Sequence, residues 1–456
     1  MSNIFRITQN DYSCLIEALL SMKNVEQGAA LFAGHVQREG KNIFMIREVL
    51  PIPQNDMVYQ HSTGRRLKAS AFMKLAEKAY NQGLSLIMAH SHPGTLNTFS
   101  TTDDNNESEM MPRLLMLTDN SIPHGTLVMD SKGRMDARFW SPGKASPTPI
   151  DWINIIGRPM KNIPTTSNHS RKSNVDIFLY DRQVKMFGHD GQKLLAETPV
   201  TIIGAGGTGS VIGNQLAYLG VTNFTIMDED LVEHSNLNRL LGASPKDISK
   251  YKADVLADTI CRINPEAKVK VFKENLRADN VPFELTESQV LFLCTDSMIS
   301  RAILNDISLR YLIPIIDIGV GINAKDGEVF SAGGKIYLAI PGIACLQCLK
   351  RISADALLQE QMLLDKRYKG YVHGYEIKRP SVISLNSLIA SQAVTTFIDL
   401  ITGCLGHQIS YVKCYDMLEG DLLTMDIIKE SSCRYCDSLK GMGSEGSTSM
   451  KTSSCR

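Results

Sequence analysis

The sequence predicts an α/β protein of two domains, in which a mixed α/β domain precedes a doubly wound, Rossmann-like domain. Three observations support this prediction. The stretch 200–209, VTIIGAGGTG, places a glycine turn between a short apolar strand and a helix. Strand and helix patterns then alternate as far as residue 293, which is typical of a parallel sheet. A Pro-, Ser-, Asn- and Lys-rich stretch from Ser141 separates this region from N-terminal apolar segments.

The composition limits the partners and the compartment. The 456 residues carry 48 basic and 48 acidic side chains, so the formal net charge is zero. This balance argues against a general nucleic-acid or anionic-membrane surface. No run approaches the roughly 18 apolar residues of a membrane span, and the start, MSNIFRITQNDYSC, lacks the order of a signal peptide. We therefore expect a cytoplasmic protein with no nucleic-acid or membrane partner, whose paired cysteines bind metal.

The first domain is predicted to span residues 1–145. Its pattern indicates a helix, two strands, a second helix and a buried strand, at 12–20, 29–35, 43–50, 67–81 and 84–89. The last strand ends at His90-Ser-His92. Alternate side chains of a strand point the same way, so the two imidazoles can share one metal ion. With Asp103 they would make a three-ligand zinc site that leaves one position open for water.

Such a zinc ion lowers the pKa of its water toward ~7 and produces a nucleophile at neutral pH. Ser100 could donate to the developing oxyanion. Glu26, which precedes a predicted strand, is a candidate for the base that the reaction also needs. The alternative is that His90 and His92 are ordinary polar residues at a strand end.

The spacing of these residues is more specific than any one of them. It reads His90-x-His92-Pro93-x6-Ser100-x2-Asp103, with Glu26 upstream in a V-E-x-G context. Over about 140 residues the pattern resembles the complete signature of the JAMM/MPN metalloproteases, which remove ubiquitin-like proteins from isopeptide bonds or trim their tails. The resemblance implies a catalytic zinc ion held by the two histidines and the aspartate. It also implies that the glutamate is the general base and then acid, and that the serine is the oxyanion donor.

Two segments are predicted to lie outside the domains. We place a linker at 146–173, because its composition does not build a core, and we expect its apolar patch Trp152–Ile156 to dock on a neighbouring domain. The polar tail 441–456 is predicted to be disordered, and Cys455 in it to be a passive terminal residue. The second domain is then predicted to span 174–440.

The glycine turn of the second domain contains Gly204, Gly206, Gly207 and Gly209. Glycines let the backbone approach phosphates, and the N-terminus of the following helix offers free N–H groups. The turn alone is compatible with a dinucleotide site, an ATP site or a turn that serves packing only. A NAD(P) oxidoreductase would share it.

Charged residues after the next strands favour a triphosphate. The strand at 223–227 is followed by Asp230, about 20 residues beyond the glycines, where a carboxylate can bind ribose hydroxyls. Arg239 and Lys252 supply positive charge near the same sheet edge. The strand at 290–293 is followed by Asp296, which could hold Mg²⁺ through one carboxylate. Each charge alone is more typical of a solvated surface residue.

Two CxxC pairs give the strongest spacing signal in the chain. Cys345 and Cys348 form the first pair, and Cys433 and Cys436 form the second. Four thiolates make a tetrahedral zinc site with every position filled by protein, so we predict a structural zinc ion. Free buried cysteines are the alternative, and thioredoxin-like redox chemistry fits two equal pairs less well.

From Tyr180 to the last CxxC, these residues together resemble the adenylating domain of the ubiquitin-activating-enzyme superfamily, of the bacterial ThiF/MoeB/HesA type. That family binds ATP and Mg²⁺ and adenylates the C-terminal glycine of a ubiquitin-like or sulfur-carrier protein. The resemblance implies a homodimer, because Arg182 matches an arginine that the family supplies across a dimer interface. It assigns the four glycines to the phosphate loop. The other implied contacts are ribose at Asp230, phosphates at Asn236, Arg239 and Lys252, and magnesium at Asp296.

The sequence departs from that family in one place. Thioester-forming members carry a cysteine in the crossover region after the first CxxC, and residues 349–403 contain none. We interpret Cys404 and Cys414 as core residues, and Ser381 and Ser384 as poor substitutes. A helix is predicted near 354–366, followed by a loop to Pro380.

Both motif sets recognise the same kind of C-terminal tail, which predicts a bifunctional enzyme. One site would hydrolyse bonds at the tail of a ubiquitin-like or sulfur-carrier protein, and the other would adenylate its terminal glycine. Sulfur transfer for biosynthesis and ubiquitin-like conjugation, including bacterial defence, remain open as pathways. Two alternative hypotheses belong to other functional classes, namely a non-catalytic scaffold and a NAD(P)-binding oxidoreductase.

Overall fold

The computed structural model describes residues 3–38, 40–62, 64–166, 176, 178–276, 283–364, 380–406, 410–425 and 433–443. The chain separates into two compact units. The first comprises Met1–Lys172, Leu309–Leu312 and Leu439–Arg456, and the second comprises Ser173–Ser308 and Ile313–Ser438. The two predicted domains therefore correspond to two units, with different boundaries.

The first unit is built on a long mixed sheet with helices on both faces. Its helices are α1 (Gln9–Leu20), α2 (Ala69–Gln82) and α3 (Thr101–Leu117). Its strands are β1 (Ile4–Thr8), β2 (Gly28–Arg38), β3 (Lys41–Pro51), β4 (Met57–His61), β5 (Gly64–Leu67), β6 (Ser85–His92), β7 (His124–Asp130), β8 (Met135–Trp140), β9 (Thr148–Pro149), β10 (Trp152–Ile156) and β11 (Lys161–Pro164).

Nine of these strands form one sheet in the order β11-β10-β1-β3-β2-β6-β7-β8-β9, while β4 and β5 form a separate hairpin. One core cluster lies where Leu15 and Leu19 of α1 cover the sheet. The other lies where α2 and α3 cover it, with Ala79 and Leu114 fully buried. The buried central strand β6 thus runs through the core and delivers its last residues to the sheet edge.

The predicted linker at 146–173 was wrong over most of its length. Strand β10 pairs in parallel with β1, with Trp152 opposite Ile4, and β11 pairs with β10. The apolar patch Trp152–Ile156 is therefore a strand of the first unit's own sheet. The tail prediction also fails at its start, because the Gly441 carbonyl accepts a hydrogen bond of 2.9 Å from the Gly34 amide. The rest of the tail, including Cys455, lies outside the described residues.

The later elements build the second unit. The helices are α4 (Asp181–Glu197), α5 (Gly207–Tyr218), α6 (Lys252–Ile263), α7 (Phe283–Glu287), α8 (Met298–Tyr311), α9 (Ala354–Leu364), α10 (Ile383–Thr402) and α11 (Arg434–Leu439). The strands are β12 (Val200–Ile203), β13 (Asn223–Met227), β14 (Lys268–Phe272), β15 (Val290–Leu293), β16 (Ile315–Lys325), β17 (Glu328–Ala339), β18 (Val412–Asp416) and β19 (Leu422–Met425).

These strands form an eight-stranded sheet in the order β14-β13-β12-β15-β16-β17-β18-β19. The pairs from β14 to β16 are parallel, and the remaining pairs are antiparallel. Strand order reverses between β12 and β15, and doubly wound sheets bind ligands beyond the strand ends at such a point. The Rossmann-like prediction is confirmed, with an antiparallel extension. Among the helices in the described ranges, none has the length and apolar character that a bilayer crossing requires.

Candidate functional site

The glycine turn lies where the strand order of the second unit reverses. Gly204 follows β12 with φ of +92°, a conformation that favours glycine, and a Cβ there would lie 2.9 Å from the Cys294 carbonyl oxygen. A Cβ on Gly209 would lie 1.9 Å from the Gly204 oxygen, so a side chain at that position would break the turn. Apart from Gly206 and its chain neighbours, no atom of the described residues lies within 4 Å of a Cβ placed on Gly206. The turn is thus closed on the protein side and open on the other.

Asp228, which the sequence reasoning missed, fixes this turn. Its carboxylate accepts hydrogen bonds from the Ala205 amide at 2.6 Å and from the Asp230 amide at 2.8 Å. Burial raises the pKa of Asp228, although these backbone hydrogen bonds oppose the rise. Its position directly after β13 was a signal that could have identified it.

The predicted ribose and phosphate residues lie around the same edge, and several have protein partners. Asp230 pairs with Lys252 at 2.7 Å. Arg239 donates to the Ser235 carbonyl at 2.6 Å, and its Cδ would lie 3.7 Å from a Cβ on Gly207. Asn236 is buried and its amide oxygen accepts from the Glu233 amide at 3.1 Å. One of the three N–H donors of Lys252 is therefore engaged by Asp230.

A surface cavity of about 650 Å³ adjoins these residues, and its lining includes Asp230, Asn236 and Lys252. Asn386, at the start of α10, also approaches the glycine turn, because its Nδ2 would lie 2.5 Å from a Cβ on Gly207. No spacing in the sequence pointed to Asn386, since it comes from a helix far along the chain.

Asp296 lies beside the glycine turn, in the turn that follows β15. It is exposed, and within the described ranges its carboxylate has no hydrogen bond or ion pair. The backbone of the turn is held firmly. Arg301 donates at 2.8 Å to the Asp296 carbonyl and at 2.8 Å to the Thr295 carbonyl. A free carboxylate on a fixed backbone is well placed to receive a hard cation such as Mg²⁺.

The charge of Arg301 is balanced inside the unit. Asp317 on β16 is 0% exposed, and both its oxygens lie 3.3 Å from Arg301 Nε. Arg351 also donates to Asp317. Because Arg351 comes three residues after Cys348, this ion-pair chain connects the first CxxC segment with the turn of Asp296.

ATP and Mg²⁺ fit these residues. The open side of the glycine turn offers room for phosphates against the N-terminus of α5, and Asp296 offers a free carboxylate. Arg182 stands apart. Its side chain is 95% exposed, and its nearest described partner is the Asp181 carboxylate at 3.9 Å.

The four cysteines of the two CxxC pairs come together as predicted. Cys345 Sγ lies 3.7 Å from Cys348 Sγ and 3.8 Å from Cys433 Sγ, and Cys348 Sγ lies 3.7 Å from Cys436 Sγ. A tetrahedral site with Zn–S bonds of about 2.3 Å requires sulfur atoms about 3.8 Å apart. Hydrogen bonds from neighbouring thiols, led by Cys436, lower the pKa of Cys345 to about 5. The cluster fits a closed, structural zinc ion.

The interpretation of Cys404 and Cys414 as core residues, and of Ser381 and Ser384 as poor substitutes for the missing cysteine, stays a prediction. Cys404 and Cys414 are half-buried. Ser381 accepts a hydrogen bond of 3.1 Å from Asn386, whereas Ser384 is exposed. The predicted loop from 367 to Pro380 lies almost wholly outside the described residues.

The first unit brings together a second potential metal site. His90 and His92 end β6, and Asp103 lies in the first turn of α3. The ligand atoms of the three residues all lie within 4.8 Å of one another. His90 Nε2 lies 3.0 Å from Asp103 Oδ1, and His92 Nε2 lies 3.3 Å from Asp103 Oδ2. The His92 ring donates through Nδ1 to the Leu96 carbonyl at 3.0 Å, which leaves Nε2 as the metal-binding atom.

The electrostatics of this cluster suit a cation. Burial lowers the pKa of His90 to about 4, so its ring is neutral at pH 7, the form in which an imidazole binds a metal ion. Burial also lowers the pKa of His92, but hydrogen bonds with Asp103 and Leu96 outweigh it and the net shift is upward. Burial would raise the pKa of Asp103, yet hydrogen bonds with the two histidines hold it well below its usual range. The residues present fit a three-ligand zinc ion.

Ser100 and Glu26 flank the cluster. Ser100 caps α3, and its hydroxyl donates to Asp103 Oδ2 at 2.7 Å. It therefore orients a ligand, and its predicted oxyanion role stays a prediction. The Glu26 amide donates to the His61 carbonyl at 3.0 Å. Burial raises the pKa of Glu26, while His92 and Arg65 oppose the rise. A base with a raised pKa beside a metal suits proton transfer near neutral pH.

Comparisons with known proteins bear on the second unit. The profile of the ThiF family matches residues 180–436, more than half of the chain. The chain belongs to the ThiF family. The molybdopterin-synthase adenylyltransferase of Escherichia coli K12 is 28% identical over 266 residues, which cover 58% of this chain and 98% of that protein. The sulfur carrier protein ThiS adenylyltransferase of the same strain is 29% identical over 178 residues, which cover 38% of this chain and 67% of that protein.

A third relative, the SAMP-activating enzyme E1 of Haloferax volcanii, is 28% identical over 172 residues, which cover 37% of this chain and 60% of that protein. The chain thus spans less than two thirds of this relative's length. Among solved structures, E. coli MccB with ATP shares 20% identity with a TM-score of 0.45, over 58% of this chain and 75% of that one. So distant a likeness has no bearing on function. The Rossmann-like unit, with its glycine turn and Asp296, therefore belongs to a family that is represented among the relatives by adenylyltransferases.

Proposed function

We propose that the second unit uses ATP and Mg²⁺ to adenylate the C-terminal glycine of a ubiquitin-like or sulfur-carrier protein. The observation that supports this most is an open glycine turn beside the Asp296 carboxylate, which has no partner among the described residues. Both lie at the strand-order reversal of a ThiF-family unit. Membership of the family argues against the NAD(P) oxidoreductase that would share the glycine turn.

The chemistry asked of these residues is positioning and charge neutralisation. Phosphate oxygens would be held by backbone amides at the glycine turn, with Arg239 beside them and Lys252 released from Asp230. Asp230 would then be free to bind ribose hydroxyls. Asp296 would hold Mg²⁺, which supplies positive charge to the phosphates when it is bound. The incoming carboxylate would attack the α-phosphate and pyrophosphate would leave, giving an acyl-adenylate.

The test is ATP–pyrophosphate exchange by the full chain with a panel of ubiquitin-fold proteins that end in glycine, each beside a version without its last glycine. We expect exchange with at least one member, and its loss when the terminal glycine or Asp296 is changed. Asp326→Asn, in the exposed β16–β17 turn, is the matched control. NAD binding in preference to ATP, with no exchange across the panel, would refute the proposal.

We also propose that the chain acts as a homodimer in which Arg182 completes the partner's site. Its side chain supports this, because it is 95% exposed and its ion-pair contact with Asp181 is long, at 3.9 Å. A mixture of two inactive variants, Arg182→Ala and Asp296→Asn, would then regain about a quarter of the wild-type exchange rate, because half of the dimers would be mixed and each would have one complete site. A mixture that stays inactive although the subunits exchange would contradict the proposal.

A second function is favoured by the His90, His92 and Asp103 cluster. We propose that it holds a catalytic zinc ion, with Glu26 as base and then acid, and that it trims or deconjugates the same class of protein. The zinc ion would activate water when it is bound. In the chain itself, Asp103 and the Leu96 carbonyl orient the histidine rings. Glu26 is close enough to His92 for the two charges to interact.

Glu26→Gln tests this function without removing a ligand. The variant should keep its zinc and lose hydrolysis of a ubiquitin-fold protein that carries extra residues beyond its terminal glycine, while exchange by the second unit persists. Glu17→Gln on α1 is the control. Full hydrolysis by Glu26→Gln would eliminate this role of Glu26. The two activities would serve either sulfur transfer or ubiquitin-like conjugation, and the absence of cysteine from 349–403 fits direct passage of the adenylate to a separate acceptor.

A further inference from the structure

Glu360, on helix α9 between the two CxxC pairs, makes a set of contacts that the proposed chemistry does not explain. Its Oε1 accepts from the Ser297 hydroxyl at 2.6 Å. Its Oε2 accepts from the Met298 amide at 2.6 Å and from the Ile299 amide at 3.2 Å. One carboxylate therefore satisfies the hydroxyl and two amides at the start of α8, and it does so from about 60 residues away in the sequence.

These donors adjoin the residue proposed to bind magnesium. Asp296 directly precedes Ser297, and its own side chain is unpartnered in the described ranges. Arg301 holds the carbonyls of Thr295 and Asp296 from one side. Glu360 holds the next three residues from the other side. The turn of Asp296 is thus fixed at both ends, and one of the two clamps belongs to the segment between the CxxC pairs.

The negative charge of Glu360 interacts favourably with the N-terminus of α8. A carboxylate at a helix N-terminus is stabilised by the free amides and by the helix dipole. Both oxygens of Glu360 are engaged with those donors, so its negative charge is offset by α8. A residue without an acceptor at position 360, such as alanine, would leave the Met298 and Ile299 amides without this partner and would release the turn.

We propose that Glu360 is a positioning residue for adenylation. Through it the docking of α9 onto α8 sets the geometry of Asp296, and so controls the affinity for magnesium and nucleotide. The inference rests on the proposed adenylating function and adds a means of control. A chain in which α9 is displaced from α8 would bind MgATP weakly even with every nucleotide contact intact.

The test compares Glu360→Ala and Glu360→Gln with Asp355→Asn, an exposed carboxylate in the first turn of the same helix. Two quantities are measured on the full chain, namely the magnesium concentration for half-maximal ATP binding and amide hydrogen exchange at Met298 and Ile299. Glu360→Ala should raise the magnesium requirement about tenfold, as the loss of charge-assisted hydrogen bonds predicts. It should also speed exchange at both amides. Glu360→Gln, which keeps one acceptor, should have an intermediate effect, and Asp355→Asn should have none.

Three results would overturn the inference. Unchanged amide exchange would mean that the contact is not formed. Faster exchange with an unchanged magnesium requirement would mean that Glu360 only caps a helix. Tighter ATP binding by Glu360→Ala would mean that the carboxylate competes with nucleotide. If wild-type protein bound no MgATP, the proposed function would fail, whereas the exchange measurement would still report on the contact itself.

Discussion

Asp103 and Asp296 are both proposed to bind a divalent metal, yet the two units hold them in opposite ways. Asp103 has its side chain fixed, because His90, His92 and Ser100 all contact its carboxylate. Asp296 has its backbone fixed, and in the part of the chain that the structure describes its side chain makes no hydrogen bond or ion pair. The difference indicates two kinds of metal. A resident ion needs ligands that are oriented in advance, whereas an ion that arrives with a nucleotide needs an accessible carboxylate at a constant position.

The cysteine cluster extends the comparison. Its four sulfur atoms lie at tetrahedral separations and leave no position open, whereas the cluster at Asp103 has three ligands. A closed site contributes to folding, and an open one can bind water or substrate.

The largest expected effect distinguishes the two zinc ions, which are bound permanently, from the magnesium ion that arrives with ATP. We expect two zinc ions per purified chain, one at each cluster. Asp103→Asn should remove one of them, because a neutral amide oxygen is a poor zinc ligand, and Asp296→Asn should remove neither. ATP binding should respond in the opposite way. At limiting magnesium, Asp296→Asn should weaken ATP binding at least about tenfold, whereas Asp103→Asn should leave it unchanged. Elemental analysis and calorimetry give both numbers, and zinc loss from Asp296→Asn would contradict the distinction.

The next effect concerns the backbone clamp at Asp296. Asp317 is fully buried between Arg301 and Arg351. Asp317→Asn leaves a buried positive charge unbalanced and should cost about 3 kcal/mol of unfolding free energy. It should also weaken MgATP binding, because Arg301 positions the turn. Glu328→Gln, an exposed carboxylate at the start of β17, should change neither quantity. Denaturant unfolding measures the stability. A decrease of less than about 0.5 kcal/mol in the unfolding free energy of Asp317→Asn would show that the ion-pair chain is dispensable.

The sequence was sufficient for the parts of both sites that depend on local spacing. Strands β13 and β15 were predicted with the bounds that the structure gives, since both are short segments rich in apolar, aromatic or β-branched residues. His90 and His92 were predicted as neighbours because a strand projects alternate side chains to one face. The CxxC pairs were recognisable because zinc ligation constrains their spacing.

Contacts between distant residues could not be predicted in this way. Residues 152–156 were assigned to a linker because their flanks are rich in Pro and Ser, and their pairing with β1 joins positions about 150 residues apart. Glu360 and Asn386 have no local signature, since what makes them important is the element against which their helices pack. Asp228 is different, because an acidic residue directly after a buried strand was visible in the sequence.

A third effect concerns His124, a buried histidine that can be compared with His90. His124 is also fully buried, and burial lowers its pKa to about 4, but it accepts from the Leu86 amide at 2.9 Å and belongs to neither cluster. The unfolded chain binds a proton at His124 below pH 6.5 and the folded chain does not until about pH 4. Stability should therefore fall as the pH drops through this window, by up to about 3 kcal/mol.

His124→Gln should flatten that dependence, and urea unfolding of zinc-loaded protein between pH 4 and 7 measures it. Other groups with shifted pKa values, His35 among them, also contribute to the slope, so the difference in slope between wild type and His124→Gln reports His124. A slope that is the same in wild type and His124→Gln would show that burial of this ring is not linked to stability.

The smallest effect concerns Ser100, which orients Asp103 and caps α3. Ser100→Ala should cost about 1 kcal/mol of unfolding free energy, as the loss of a helix N-cap does. Ser108→Ala, which removes an exposed hydroxyl bonded to the Asn105 carbonyl on the same helix, should be nearly neutral. If Ser100 serves only as a cap, hydrolysis should fall no more than zinc occupancy does. A loss of about a hundredfold in turnover at full zinc occupancy would instead assign the hydroxyl to the oxyanion, and the fixed contact with Asp103 would then have to break during the reaction.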